Sequence, residues 1–354
     1  MALSKILPKS IASNLGKRRL NINGDFSIAQ RGATFNSVAH NARTLDLWQV
    51  YKEAGALNIT QSTDVPLFLF KNSFKSDTAT AVSGATPGLN CFVHKLEGSD
   101  VSHLGWGTSV AKSIAISFWV KSTKTGIFTV AIKNSAGDRA YPAEYTVNVT
   151  NTWEYKQIIV AGDTTGTWLI TNGIGIQIIQ TISVDATRRA TGNAWGAGNI
   201  YASTNQVNGI DNANNNWIMA GFQVEVGSVA TPFEHRSFGE ELHLCKRYYN
   251  LLTTGSASKY MSMASAYNTA QVTGVIQLNP TMRATPTIDI VSGTNYYRCT
   301  FNATNFDFNT IAIDGADNKQ VLWSKGGLSS LTSGSGGWLQ TTNTASYMAF
   351  KCDL

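Results

Sequence analysis

Four aromatic side chains stand where small polar residues leave the chain open. They are Trp106 in HLGWGTS, Trp195 and Tyr201 in GNAWGAGNIYAS, and Trp338 in GSGGWLQ. A flat aromatic face can pack on the C–H face of a pyranose while neighbouring Asn and Ser side chains bond its hydroxyls. These four are therefore the candidate carbohydrate-binding residues. A loop tryptophan can equally be an anchor that pins its loop to the core, or a contact between subunits. Trp119, Trp153 and Trp217 lie within strand-like runs and are expected in the core.

Catalytic chemistry finds little footing. The sequence holds no GxSxG, HExxH or P-loop motif and no GxGxxG after a strand. His94 and His103 flank Glu97 and Asp100, where a metal or an acid–base pair could be drawn, but the segment reads as a polar loop between strands. No spacing singles out a carboxylate pair for glycoside hydrolysis. The chain is expected not to be an enzyme and to need no metal or cofactor. Cys91, Cys245, Cys299 and Cys352 form no CxxC pair and read as buried thiols. A Cys299–Cys352 bridge stays open.

Of a net charge of +6, Lys5, Lys9, Lys17, Arg18 and Arg19 supply +5, with no acid in the first 20 residues. A nucleic-acid binder spreads basic groups over a folded face, so no nucleic-acid partner is expected. The basic stretch 1–19 reads as an arm that docks on a larger assembly, or as a solvated terminus. No secretory signal is convincing, and no run of 18 apolar residues exists, so no membrane insertion is expected.

The elements that must position these residues are strands. Only 14% of residues are charged, against roughly 25% in typical domains; Asn, Thr, Ser and Gly suit turns and exposed strand faces. The pattern predicts an all-β chain: the arm, a jelly-roll β-sandwich over 20–233, a connecting helix within 234–252, and a smaller sandwich or meander over 253–354. LNINGDFSIAQRG reads as two short strands around a turn, and residues 113–138 as the clearest hairpin. Ile218, Ala220, Phe222, Val224 and Val226 alternate at period two, on one face. Ser237 and Glu240 fit a capping box, and Leu242, Cys245 and Tyr249 form a helical seam, a candidate oligomer or interdomain contact.

NINGDFSIAQRG (21–32), TLDLWQ (44–49), VSHLGWGTSVAKSIAISFWVKS (101–122), NTWEYKQIIVAGDTTGTW (151–168), GFQVEVGSVATPFEHRSFGEELHLCKRYY (221–249) and RATPTI (283–288) together resemble tailed-bacteriophage fibre, spike and appendage proteins. The first sandwich is also similar to carbohydrate-binding jelly rolls. Some of those hold calcium near an NGDF-like strand; Asp25 is present here, without a matching acidic pair at the last strand. The resemblance implies a virion structural protein, homotrimeric, assembled in the host cytoplasm. Its arm would dock on other virion proteins, and its β-domains would contact host cell-surface polysaccharide. A purely architectural decoration protein and a glycan depolymerase are the alternatives.

Overall fold

The structure is a computed structural model that describes residues 18–84, 86–255 and 257–354. Lys5, Lys9 and Lys17 lie outside the described residues. The fold is all-β, in two compact units: one runs to Phe238 and includes Leu354, the other is Gly239–Asp353.

The first unit is a sandwich of two antiparallel sheets. Six strands are ordered Thr34–Phe35, Ala56–Ser62, Ser73–Thr80, Asn216–Val226, Ile114–Ser122 and Glu154–Val160. Seven are ordered Gly196–Ala197, Arg139–Val147, Gly126–Lys133, Ile174–Ser183, Asn90–Glu97, Trp48–Lys52 and Ala42–Arg43. Inward side chains alternate along each strand: Ile114, Ile116, Phe118 and Val120 from one sheet meet Phe128, Val130, Ile176 and Ile178 from the other.

Residues 113–138 are not a hairpin. Ile114–Ser122 lies in the six-stranded sheet and Gly126–Lys133 in the seven-stranded one. Thr123–Thr125 therefore carry the chain across the sandwich rather than around an edge. The period-two face of 218–226 is also corrected. Trp217, Met219, Phe222 and Val224 point inward, because an extra residue sits between the register positions Ala220↔Trp119 and Gln223↔Ser117. Gly221 makes this bulge at φ 59°. A Cβ there would lie 2.3 Å from the Phe70 ring, which covers the outer face.

Residues 20–32 form no strand. Asn23 and Phe26 adopt positive φ (53° and 56°), which drives Phe26 into the core against Trp48 at 5.4 Å and Phe74 at 5.8 Å. The Asn23 amide donates to the carbonyls of Ile28 (2.9 Å) and Asp46 (3.0 Å) and accepts from Ile28 N–H (3.0 Å). Asn21 does the same to the last strand, donating to Phe222 O at 2.9 Å and accepting from Val224 N–H at 2.8 Å. The NGDF run is thus a backbone staple, and Asp25 accepts from Ser27 at 3.1 Å.

Arg18 and Arg19, expected in the arm, are built into this unit. Arg18 donates to Thr231 Oγ1 at 2.7 Å, and the Arg19 N–H donates to the Glu234 carboxylate at 2.6 Å. The Arg19 guanidinium lies 4.8 Å over the Phe233 ring, and Arg236 donates to the carbonyls of Asn21 and Arg19. Burial of Arg19 at 2% exposure removes it from any docking surface.

The second unit carries the helix Phe238–Lys246, apart from its first residue, which falls with the first unit. Its three-stranded sheet is ordered Tyr249–Thr254, Tyr347–Lys351 and Thr287–Ile290. Its seven-stranded sheet is ordered Thr304–Phe308, Tyr297–Phe301, Gly336–Thr341, Tyr260–Ala266, Val272–Gln277, Gln320–Lys325 and Ala312–Ala316. Trp323, Tyr297, Leu339 and Met348 centre a separate core. The expected helical seam is corrected. The helix ends at Lys246, so Tyr249 opens a strand paired with Lys351. The buried helix positions are Glu241 and Cys245, and Leu242 is half-buried. All four cysteines are free thiols, and Cys352 Sγ contacts Arg247 O at 3.3 Å, so no Cys299–Cys352 bridge forms.

Candidate ligand-binding faces

The candidate aromatics fall into three settings. Trp106 and Trp195 meet Trp168 in a knot of indoles: centroids are 4.7 Å apart for 106–168, 5.5 Å for 106–195 and 5.6 Å for 168–195, all edge-on. Each indole N–H is spent on a backbone carbonyl: Trp106 on Lys112 (2.7 Å), Trp168 on Thr165 (3.1 Å), Trp195 on Ala161 (2.8 Å). Arg139, bidentate to Asp163 at 2.8 Å for both bonds, lies beside the Trp195 ring. Trp106 is buried and Trp195 half-buried, so both anchor loops instead of offering a platform.

Tyr201 lies over the outer face of the first unit's seven-stranded sheet. It packs with Leu89, Cys91, Val93, Ala131 and Ile179, a small core of its own. Lys133 Nζ sits 3.8 Å over the Tyr201 ring and bonds Asn199. Burial pushes the Tyr201 hydroxyl up to about 12 and the Lys133 amine down to about 8. The segment after Ser183 thus roofs this face, and Tyr201 is the underside of the roof.

Trp338 is different. On the outer face of the second unit's seven-stranded sheet it is 38% exposed, opposite Met263 (73%) and beside Tyr260 (65%). The Tyr260 and Trp338 rings are 6.1 Å apart at 68°. A shallow groove of ≈ 570 Å³ is lined by Tyr260, Met261, Ser262, Met263 and Trp338. Trp338 N–H donates to Gln340 Oε1 at 3.0 Å, which holds the indole. On the flanking strands Arg298 is bidentate to Asp307 (2.5 and 2.9 Å), and Thr300 donates to Asn305 at 2.9 Å. The charged pair cancels itself, so the face combines aromatic surface with neutral polar groups. Tyr260 and Met263 escape a reading of period two. A register shift between Tyr260 and Ser262 moves them onto one face.

His94, His103, Glu97 and Asp100 make no site. His94 is in a strand, fully buried on Trp48 at 5.0 Å, while His103 is exposed in the turn Ser102–Leu104. Burial, with the Arg19 charge, pushes the His94 imidazole down to about 3. Among the described residues no group of three or more His, Cys, Asp or Glu side chains could hold a metal ion, and no helix is long and apolar enough to cross a membrane.

No protein-family model and no curated protein matches the chain. Among solved structures it is similar to the enzymatically active domain of tailspike protein 4 of bacteriophage CBA120, at 14% identity and a TM-score of 0.30, over 54% of this chain and 21% of that one. The chain thus spans about a fifth of that tailspike chain. A putative sugar-binding protein from Bacteroides thetaiotaomicron (10% identity, TM-score 0.32) covers 59% of this chain over 100% of its own. TmCBM61 in complex with beta-1,4-galactotriose (9%, TM-score 0.30) covers 60% and 100%. Likenesses this slight carry no argument about what the present chain binds.

Proposed function

We propose that the chain is a structural appendage of a tailed-phage virion that touches a neutral surface glycan through the Trp338 face. The observation that carries the ligand reading is the open Tyr260–Trp338 pair on a sheet whose nearby charges, Arg298 and Asp307, neutralise each other. A pyranose laid on the Trp338 face gains apolar contact, while the exposed Asn305 amide on the same face offers a polar partner. An acidic sugar would find no uncompensated cation in that pair. The virion setting is supported by the motif run over residues 20–290 and by the basic residues Lys5, Lys9 and Lys17, which would dock on another particle protein.

Calorimetric titration of the full chain with purified bacterial surface polysaccharides tests the ligand. Neutral polysaccharides should bind and the Trp338→Ala, Tyr260→Ala double variant should not. Equal binding by the double variant overturns the assignment. A wild-type chain that binds no polysaccharide supports the architectural alternative, which the exposed Met263, Val275 and Leu322 would then serve as a protein contact. Antibody labelling of phage particles tests the setting separately. Removal of residues 1–17, which leaves Arg18 in place, should abolish incorporation without unfolding the chain.

A further inference from the structure

The first unit presents an apolar knob and an apolar platform on one sheet face. The knob is Leu67, Phe68 and Leu69, exposed at 43%, 109% and 63%. It is held rigidly from both sides. Asp64 accepts from Lys121 Nζ at 2.7 Å and from Trp153 Nε1 at 3.2 Å, and Ser73 Oγ donates to Asp64 O at 2.6 Å. On the far side Phe70 is buried over Gly221 and meets Phe233 at 5.2 Å. A loop stitched in this way cannot fold its tip back onto its own sheet.

The platform lies on the same outer face. Lys121 and Trp119 are alternate residues of one strand, and Trp119 packs on Tyr155 of the edge strand Glu154–Val160 at 5.2 Å. Tyr155 and Ile159 expose 39% and 41%. The bordering charges Asp64 and Lys121 are paired within the chain at 2.7 Å.

We infer that a second copy of this chain docks here, the Leu67–Leu69 knob of one copy seating on the Trp119–Tyr155–Ile159 platform of the other. Knob and platform lie on one face and differ in shape, so two copies can each seat a knob on the other's platform about a two-fold axis. Phe68 alone presents on the order of 200 Å². With its neighbours the patch reaches about 500 Å², the size at which contiguous apolar surface marks an interaction site. That is more than half of the roughly 800 Å² per partner of a specific interface. A lipid surface would engage the knob and leave the flat edge-strand platform unused.

Sedimentation velocity of the full chain tests the contact. The wild type should sediment as an oligomer. Phe68→Asp and Ile159→Lys alter exposed side chains, so each should keep the wild-type thermal unfolding and sediment as a monomer. Mixed together, they should form a dimer, because the intact knob of one variant still meets the intact platform of the other. A monomeric wild type, or variants that keep the wild-type mass, overturns the inference. A monomeric wild type that floats with phosphatidylglycerol vesicles, and loses this with Phe68→Asp, overturns it in favour of a membrane contact.

Discussion

Each unit contains a seven-stranded antiparallel sheet with one face on a core, and the outer faces of these two sheets have opposite fates. In the first, the connection from Ser183 to Asn216 folds back, and Tyr201 closes over Lys133, Cys91 and Ile179. In the second, the strands around Trp338 are joined by connections no longer than the ten residues 326–335, and Tyr260, Met263 and Trp338 meet solvent. The same chemical ingredients, an aromatic near a glycine-rich turn above a β-sheet, thus give a sealed secondary core in one place and an open platform in the other. What decides is whether spare chain lies nearby to cover the sheet.

The comparison can be broken most forcefully at the indole knot. Trp106→Ala should cost about 3–5 kcal/mol of unfolding free energy in denaturant titration, as for other buried aromatic truncations. A neutral effect there, with lost polysaccharide binding, would reopen the first unit as the ligand site. Tyr201→Ala should cost less, about 2 kcal/mol, because its ring is only half-buried. The roofed face should also show in the pH dependence. Lys133 has a folded-state value of about 8, below its ordinary 10.5. Between about pH 8 and 9 the unfolded chain holds a proton that the folded chain has begun to shed, so Lys133 makes stability rise with pH there. Above that window the raised Cys91 thiol and Tyr201 hydroxyl beside it act the other way. Lys133→Met should remove that rise relative to wild type. At the acid end His94, at about 3 against an ordinary 6.5, makes stability fall as pH drops through that window, and His94→Phe should flatten the fall. The smallest stability effect belongs to the most exposed ring of the open face: Tyr260→Ala should stay within about 0.5 kcal/mol.

The all-β class and the helix beginning after Ser237 were legible in sequence because period, turn residues and capping are local signals. Trp338 was singled out for its glycine-rich flank, and the open face carries it. The sheet membership of 114–122 and 126–133 was hidden, because a sandwich crossing and a hairpin use the same short polar link. The faces of Tyr260 and Met263, and of Ile218 and Phe222, turned on single extra residues that shift parity, which alternation alone cannot locate. Trp106 and Trp195 looked exposed because their burial comes from each other and from Trp168, far apart in the chain.

The staple at the start of the first unit has a mechanical consequence. Leu20 N–H bonds Val224 O, Asn21 spans Phe222 and Val224, Arg18 reaches Thr231, and Arg236 reaches back to Arg19 and Asn21. The segment by which the chain enters this unit is therefore fastened directly to the segment by which it leaves. Tension applied between Arg18 and Phe238 is met first by this short clasp, before it reaches the rest of the sheets. Arg19 pairs antiparallel with Glu225, so the two pulled ends lie side by side and the bonds open one after another from that end. Until they have opened, the sandwich hangs beside the line of force as a passenger.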